Sequence, residues 1–136
     1  FGETLGDRIC SAFEFAFSEG LDSVVMIGTD SPTFPAAFLD NAFAELEKAD
    51  AVLGPTEDGG YYLIGLNSVR DVLFAGVEWS SANTFRQTDS NLKNAGLVVS
   101  HLAPWYDVDE PDDLIRLRDD SFTEANSPAT FKLLKR

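Results

Sequence analysis

A carboxylate that directly follows an apolar stretch is the residue of this sequence best suited to chemistry. Asp30 comes after the apolar run 23–28, within the segment 28–32, Gly-Thr-Asp-Ser-Pro. If that run is a strand, Asp30 lies at its carboxyl end, where α/β sheets collect their ligands. A carboxylate there could hold a hard cation such as Mg²⁺, which completes its shell with water and phosphate oxygens. The alternative is that Asp30 caps a turn before Pro32.

A second acidic segment, residues 107–113, precedes a predicted helix that begins at Pro111. Asp107 and Asp109 alternate around Val108, so an extended backbone would place both carboxylates on one face. Acidic side chains in a first helical turn also interact favourably with the helix dipole. A purely structural role therefore remains an alternative for Asp107 and Asp109.

The segment 57–62, Glu-Asp-Gly-Gly-Tyr-Tyr, joins two predicted strands. The glycines at 59 and 60 permit positive φ and let a ligand approach the backbone closely. A tight loop without a ligand would use the same residues, so a plain loop remains the alternative.

Other reactive residue types give weaker signals. His101 is the single histidine and Cys10 the single cysteine, so neither a zinc site nor an intrachain disulfide is indicated. Ser80 and Ser81 can cap the following helix, and Trp79 is typical of a core or a pocket wall.

Both helices and strands are predicted to position these residues. Apolar spacings of three and four predict helices over 5–17 and 38–46, a more polar helix over 83–95, and a helix from Pro111. Short apolar runs predict strands at 23–28, 51–54, 61–66, 77–79 and 97–102. This order predicts one α/β domain over residues 1–136, with a mostly parallel sheet, helices on both faces and room for one antiparallel strand.

The composition of the chain limits the classes of partner that it can bind. With 136 residues, 44% of them hydrophobic, the chain can fill a core, and its formal net charge of -13 argues against nucleic acid or an anionic membrane. No apolar run approaches the roughly 20 residues that span a bilayer. One thiol and no signal-peptide pattern lead us to expect a cytoplasmic protein.

Taken together, five segments resemble a known family. They are residues 5–8, 28–32, 53–55, 57–66 and 107–114. The family is the radical-SAM/selenodomain-associated transferase 1 family, with a glycosyltransferase A fold, in the nucleotide-diphospho-sugar transferase superfamily. The similarity runs from residue 2 to residue 118, and its most specific part is 57–66.

The resemblance implies a metal-dependent nucleotidyl- or glycosyltransferase that uses Mg²⁺ or Mn²⁺, a nucleotide or nucleotide-sugar donor and a small-molecule acceptor. It implies that Asp30 binds the metal and that Asp107 or Asp109 completes the site. The residues that it assigns to substrate are Glu57, Asp58, Gly59, Gly60 and Tyr61, and Arg8 is a weaker candidate for contact with phosphate.

The same family normally begins with a βα unit whose glycine-rich, basic loop holds the nucleotide phosphates, and nothing in this sequence corresponds to it. We therefore expect an N-terminally incomplete domain that is weak or inactive alone. The alternative is a non-catalytic binding or assembly module derived from the same fold. In that family the strand that matches 23–28 lies beside the absent first strand, so the resemblance implies an open edge. Because the residues of this strand carry no charge and no proline, we expect the edge to pair in a homodimer or higher oligomer.

Overall fold

A four-stranded sheet between helices makes up the computed structural model, which describes residues 2–135. The elements are α1 (Leu5–Ser18), β1 (Val24–Ile27), α2 (Ala37–Leu46), β2 (Ala51–Pro55), β3 (Tyr61–Leu66), a 3-10 helix (Asp71–Phe74), α3 (Thr84–Asn94), β4 (Val99–His101), α4 (Pro111–Asp119), α5 (Ser121–Asn126) and α6 (Pro128–Leu134).

The first helix shows how local chemistry sets an element. The Thr4 hydroxyl accepts a hydrogen bond from the Asp7 backbone N–H, and the Asp7 carboxylate accepts one from the Thr4 N–H. This capping box satisfies two amides that the helix itself leaves unpaired. Gly20, at φ +87°, follows the end of the helix, in a conformation that residues with a Cβ rarely adopt.

The predicted mostly parallel sheet is wrong. The strand order is β1-β3-β2-β4, and two of the three pairings, β1 with β3 and β2 with β3, are antiparallel. Only β2 and β4 pair in parallel. The physical reason is the short loop between β2 and β3, because so few residues can join antiparallel strands but not parallel ones. The fold is α/β with a mixed sheet.

Helices cover both faces of this sheet. On one face, α1, the 3-10 helix and α3 pack on alternate residues of β2 and β3, around Phe13, Leu53 and Ile64. On the other face, α2 packs through Ala42 and Leu46. The alternation follows from the two-residue period of a strand, which sends successive side chains to opposite faces.

The strand β1 forms one edge of the sheet in the part of the chain that the structure describes. Its first three side chains are half-buried and Ile27 is 45% exposed, whereas the first four residues of β2 are buried. The last helix does not lie on this edge, because α6 packs against α4 and α5. None of the described helices combines the length and apolarity needed to cross a membrane.

The predicted strand at 77–79 is also wrong, since the described backbone there is irregular. Side chains of α3, rather than a neighbouring strand, form hydrogen bonds with the backbone of this segment. The Glu78 N–H donates to the Gln87 side chain, and the Glu78 carbonyl accepts from the Thr84 hydroxyl. Because these hydrogen bonds already use its N–H and its carbonyl, the Glu78 backbone does not pair in a sheet.

Candidate functional site

An open cavity of about 330 Å³ lies where the carboxyl end of β1 meets the amino end of β3. One part of its lining is acidic, from Asp30, Asp58 and Asp107. The rest is mainly apolar and aromatic, from Leu5, Ile9, Met26, Ile27, Leu63, Ile64, Tyr61, Tyr62 and Trp79. Small and hydroxyl-bearing residues complete it, namely Gly28, Thr56, Gly60, Ser80, Ser81 and Thr84.

Backbone hydrogen bonds bring the two predicted acidic segments side by side. The Gly28 N–H donates to the Tyr62 carbonyl (2.9 Å) and extends the β1–β3 ladder to the start of the Asp30 loop. The Val108 N–H then donates to the Asp30 carbonyl (2.9 Å). Asp30 and Asp107, which are far apart in the chain, therefore lie on the same cavity.

Three carboxylates form the tightest acidic group. Asp58, Asp107 and Asp109 each present one oxygen within 4.8 Å of the others. The Thr56 hydroxyl and the Gly60 N–H both donate to Oδ1 of Asp58. These two bonds fix the Asp58 carboxylate and lower its pKa, with Thr56 the larger cause.

Mutual repulsion characterises this group. Burial raises the pKa of the Asp107 carboxyl, and the negative charges of its neighbours Asp58, Asp109 and Asp30 raise it further. A divalent cation would relieve that repulsion, and an all-oxygen donor set suits hard ions such as Mg²⁺ or Mn²⁺. The residues present therefore fit the cation that the resemblance implies.

The loop over residues 57–60, called the glycine loop from here on, is held against the start of α3. Gly59 has φ +95°, and a Cβ added there would lie 2.4 Å from the Ala82 carbonyl oxygen, so only glycine fits. The Gly59 carbonyl accepts the Phe85 N–H at 2.8 Å. This contact fixes the loop that carries Asp58 and Gly60.

Two aromatic rings form another part of the cavity lining. Tyr61 and Trp79 meet edge to face, with ring centroids 6.4 Å apart. The Trp79 ring also lies against Gly6 of α1, where a Cβ would approach it to 2.9 Å. The next residue, Ser80, has φ +56°, a backbone conformation that non-glycine residues seldom adopt and that often accompanies functional loops.

Outside the cavity, an ion pair joins the glycine loop to α4. Both Glu57 oxygens accept hydrogen bonds from Arg116, at 2.6 and 2.8 Å. The Arg116 guanidinium lies 4.0 Å from the centre of the Tyr106 ring, which adds a cation–π contact.

The structure places the residues predicted from sequence in different surroundings. Asp30, Asp58, Asp107, Gly60 and Tyr61 line the cavity, and Asp109 joins the acidic group. Gly59 supports the loop from behind. Glu57 is engaged by Arg116, and Arg8 lies on α1 with its guanidinium directed to the Gly2 carbonyl (3.5 Å).

Sequence analysis missed two features of the site. The sequence places Asp58 only among the substrate residues, whereas the structure places one of its carboxylate oxygens within 4.8 Å of those of Asp107 and Asp109; the Thr56 hydroxyl two residues earlier is a signal that indicates a fixed carboxylate. Leu5 and Ile9 were assigned only to a helix face. No sequence signal separates an apolar residue that lines a cavity from one that fills a core.

Comparison with solved structures found a similar fold. The crystal structure of a protein from Desulfovibrio desulfuricans G20, provisionally described as a nucleotide-diphospho-sugar transferase, is similar with a TM-score of 0.88 and 36% sequence identity. The match covers 99% of this chain and 60% of that one, so this chain spans 60% of that protein's length. The α/β fold of this chain is therefore similar to the fold of that protein.

The family model of uncharacterized proteins conserved in bacteria, DUF2064, matches residues 1–81. The chain belongs to this family. No curated protein matches the chain.

Proposed function

We propose that this chain is the metal-binding and acceptor-binding part of a metal-dependent nucleotidyl- or glycosyltransferase. The donor would be a nucleotide or nucleotide-sugar, as in the radical-SAM/selenodomain-associated transferase 1 family. The observation that carries the proposal is the group of Asp58, Asp107 and Asp109 beside Asp30 on one cavity. The similarity to the Desulfovibrio protein supports the same class.

The acidic group would hold Mg²⁺ or Mn²⁺ through Asp107, Asp109 and Asp58, with Asp30 as a further ligand. When bound, the cation would neutralise the diphosphate of the donor. The Gly60–Tyr61 backbone and the Tyr61 ring would shape the place of the acceptor.

Calorimetric titration of the 136-residue chain with Mn²⁺ tests the metal site. We expect Asp107→Asn to weaken binding by about tenfold or more, because it removes a charged oxygen donor from the group. Asp30→Asn tests the carboxylate that follows β1 in the same way, and an unchanged isotherm would remove Asp30 from the site. The matched control is Asp112→Asn, since Asp112 is exposed in the first turn of α4 and outside the group.

We further propose that this chain alone transfers slowly or not at all. No lysine, arginine or histidine is among the residues described as lining the cavity. Donor phosphates would therefore meet no cationic side chain there, and orientation supplies much of the acceleration in such reactions. Robust metal-dependent transfer from a nucleotide donor by the purified chain would contradict this proposal.

The same lack of basic lining favours the alternative, a binding or assembly module without catalysis. The two functions differ in how metal affects nucleotide binding. A module of this kind would bind a nucleotide equally well with or without Mn²⁺, whereas the transferase site would bind a nucleotide donor more tightly with Mn²⁺, because the cation neutralises the diphosphate.

A further inference from the structure

We propose that the acceptor of this site is a small uncharged molecule with an apolar ring, which packs against the wall formed by Leu5, Ile9, Met26 and Trp79. This inference rests on the proposed function and adds the class of acceptor. The four residues come from α1, β1 and the segment after the 3-10 helix, and all of them line the cavity described above.

One side chain of the wall is exposed, whereas Ile9 is only 9% exposed and Met26 and Trp79 are half-buried. Leu5 is 48% exposed although it lies one helical turn before Ile9 on the same face of α1. Trp79 is held in place by Gly6 and by Tyr61, so its ring is a fixed surface. An apolar ring bound there would remove this surface from water, which favours binding.

Two hydroxyl groups of the cavity lining beside the wall are already engaged. Those of Ser81 and Thr84 both donate to the Glu78 carbonyl, and each accepts a backbone N–H as well. A hydroxyl of a bound molecule would therefore gain little from Ser81 and Thr84 in exchange for its bonds to water, which favours an apolar group at this part of the lining.

Charge and size narrow the class further. The described lining contains three carboxylates and no basic side chain, so an anionic group would be repelled as long as no cation is bound. A dry apolar cavity of about 150 Å³ holds benzene, and this one measures about 330 Å³. One or two rings would fit.

The test compares three probes by NMR titration of the 136-residue chain, without metal or nucleotide, with the Trp79 indole N–H signal as the readout. 2-Naphthylmethanol is neutral and aromatic, 2-naphthoate has the same rings with a negative charge, and glycerol is neutral and polar. We expect saturable shifts with 2-naphthylmethanol and affinity for 2-naphthoate lower by about tenfold or more, because the charge must be desolvated beside like charges. Glycerol should cause no saturable shift.

A pair of variants locates the binding. Leu5→Glu places a charge on the wall at the first position of α1, where an acidic residue suits the helix dipole, so the fold is retained. Leu21→Glu makes the same change at a residue that is 54% exposed and does not line the cavity. We expect Leu5→Glu to weaken 2-naphthylmethanol binding by about tenfold and Leu21→Glu to leave it unchanged.

Three results would overturn the inference: no saturable binding of 2-naphthylmethanol, equal binding of 2-naphthoate, or equal losses in the two variants. The Mn²⁺ titration is independent of these outcomes. Loss of metal binding with intact binding of 2-naphthylmethanol would count against the proposed function, and the reverse pattern would count against the apolar acceptor alone.

Discussion

At the scale of single residues, Thr56 holds the Asp58 carboxylate in place through its hydroxyl. We predict that Thr56→Val lowers Mn²⁺ affinity by about tenfold, the usual cost of losing a partner that orients a metal ligand. The change keeps the size and shape of a side chain that is only 7% exposed. Calorimetric titration is the measurement.

The matched control is Thr88→Val. Thr88 is fully buried and lies outside the acidic group, so valine, which keeps its size and shape, should leave metal affinity unchanged. Equal losses of Mn²⁺ affinity in the two variants would contradict a specific role for Thr56.

Cys10 is expected to be unreactive near neutral pH. Burial raises the pKa of its thiol to about 11, and the charges of Glu14 and Asp71 add to the effect. Because only the thiolate attacks, alkylation by iodoacetamide at pH 8 should be at least about tenfold slower than in the unfolded chain. The rate should rise steeply only as the pH approaches 11.

The raised pKa of Cys10 also predicts how the free energy of unfolding changes with pH. The folded thiol binds its proton more tightly than the unfolded one, so this contribution is fully present below the ordinary pKa of 9.0 and is lost as the pH rises to about 11. Cys10→Ser should flatten the fall of unfolding free energy between those values. An equally steep fall in Cys10→Ser would show that other groups cause it.

Sequence alone indicated the acidic residues but not how they group. Asp30 could be placed at a strand end because the apolar run before it is unambiguous. The partnership of Asp58 with Asp107 could not be predicted, because it depends on the backbone bond between Asp30 and Val108 and on the position of the glycine loop.

At the scale of elements, α1 owes its place to one buried face. Phe13 is fully buried and stacks on Phe17 and Phe74, whereas Phe15 on the same helix is 67% exposed. We predict that Phe13→Ala lowers the free energy of unfolding by about 3–5 kcal/mol, through lost burial and the cavity that remains.

Phe15→Ala, the same substitution two residues later, should change the free energy of unfolding by no more than about 0.5 kcal/mol. Urea denaturation followed by circular dichroism measures both variants. Comparable losses would show that the exposed face of α1 is also packed.

Periodicity located most of the elements and said little about their direction. The helices α1, α2, α3 and α4 lie where apolar spacing and glycine or proline boundaries indicate. The sequence leaves room for one antiparallel strand but does not identify it as β3, because two buried strands joined by a turn carry the same apolar pattern in either orientation. The strand prediction for segment 77–79 is wrong because the backbone hydrogen bonds of Glu78 go to side chains of α3, which the periodicity of the sequence does not indicate.

At the scale of the whole molecule, the open edge of β1 leads us to predict a homodimer. The strand carries no charge or proline, features that often protect exposed edges, and Ile27 is 45% exposed. Light scattering coupled to size exclusion at micromolar concentration should give twice the chain mass of 14.9 kDa. The large negative charge should favour a closed pair over open-ended aggregation.

Ile27→Lys should convert the dimer to a monomer, because an edge lysine disfavours strand pairing. Val72→Lys makes a similar change at a residue that is 56% exposed on the 3-10 helix, and it should leave the dimer intact. A wild-type chain that stays monomeric throughout this range would refute the assembly prediction.

The reversed strand β3 has a consequence for how the chain folds during synthesis. Val24 of β1 pairs with Leu66 of β3, so among the described strands β1 has no partner until the hairpin of β2 and β3 has been made. At the usual elongation rates, the ribosome needs roughly 2–8 s to add the residues between β1 and β3. Throughout that interval the apolar strand β1 lacks the partner that it has in the fold, and we expect nascent chains to be prone to aggregation until β3 is complete.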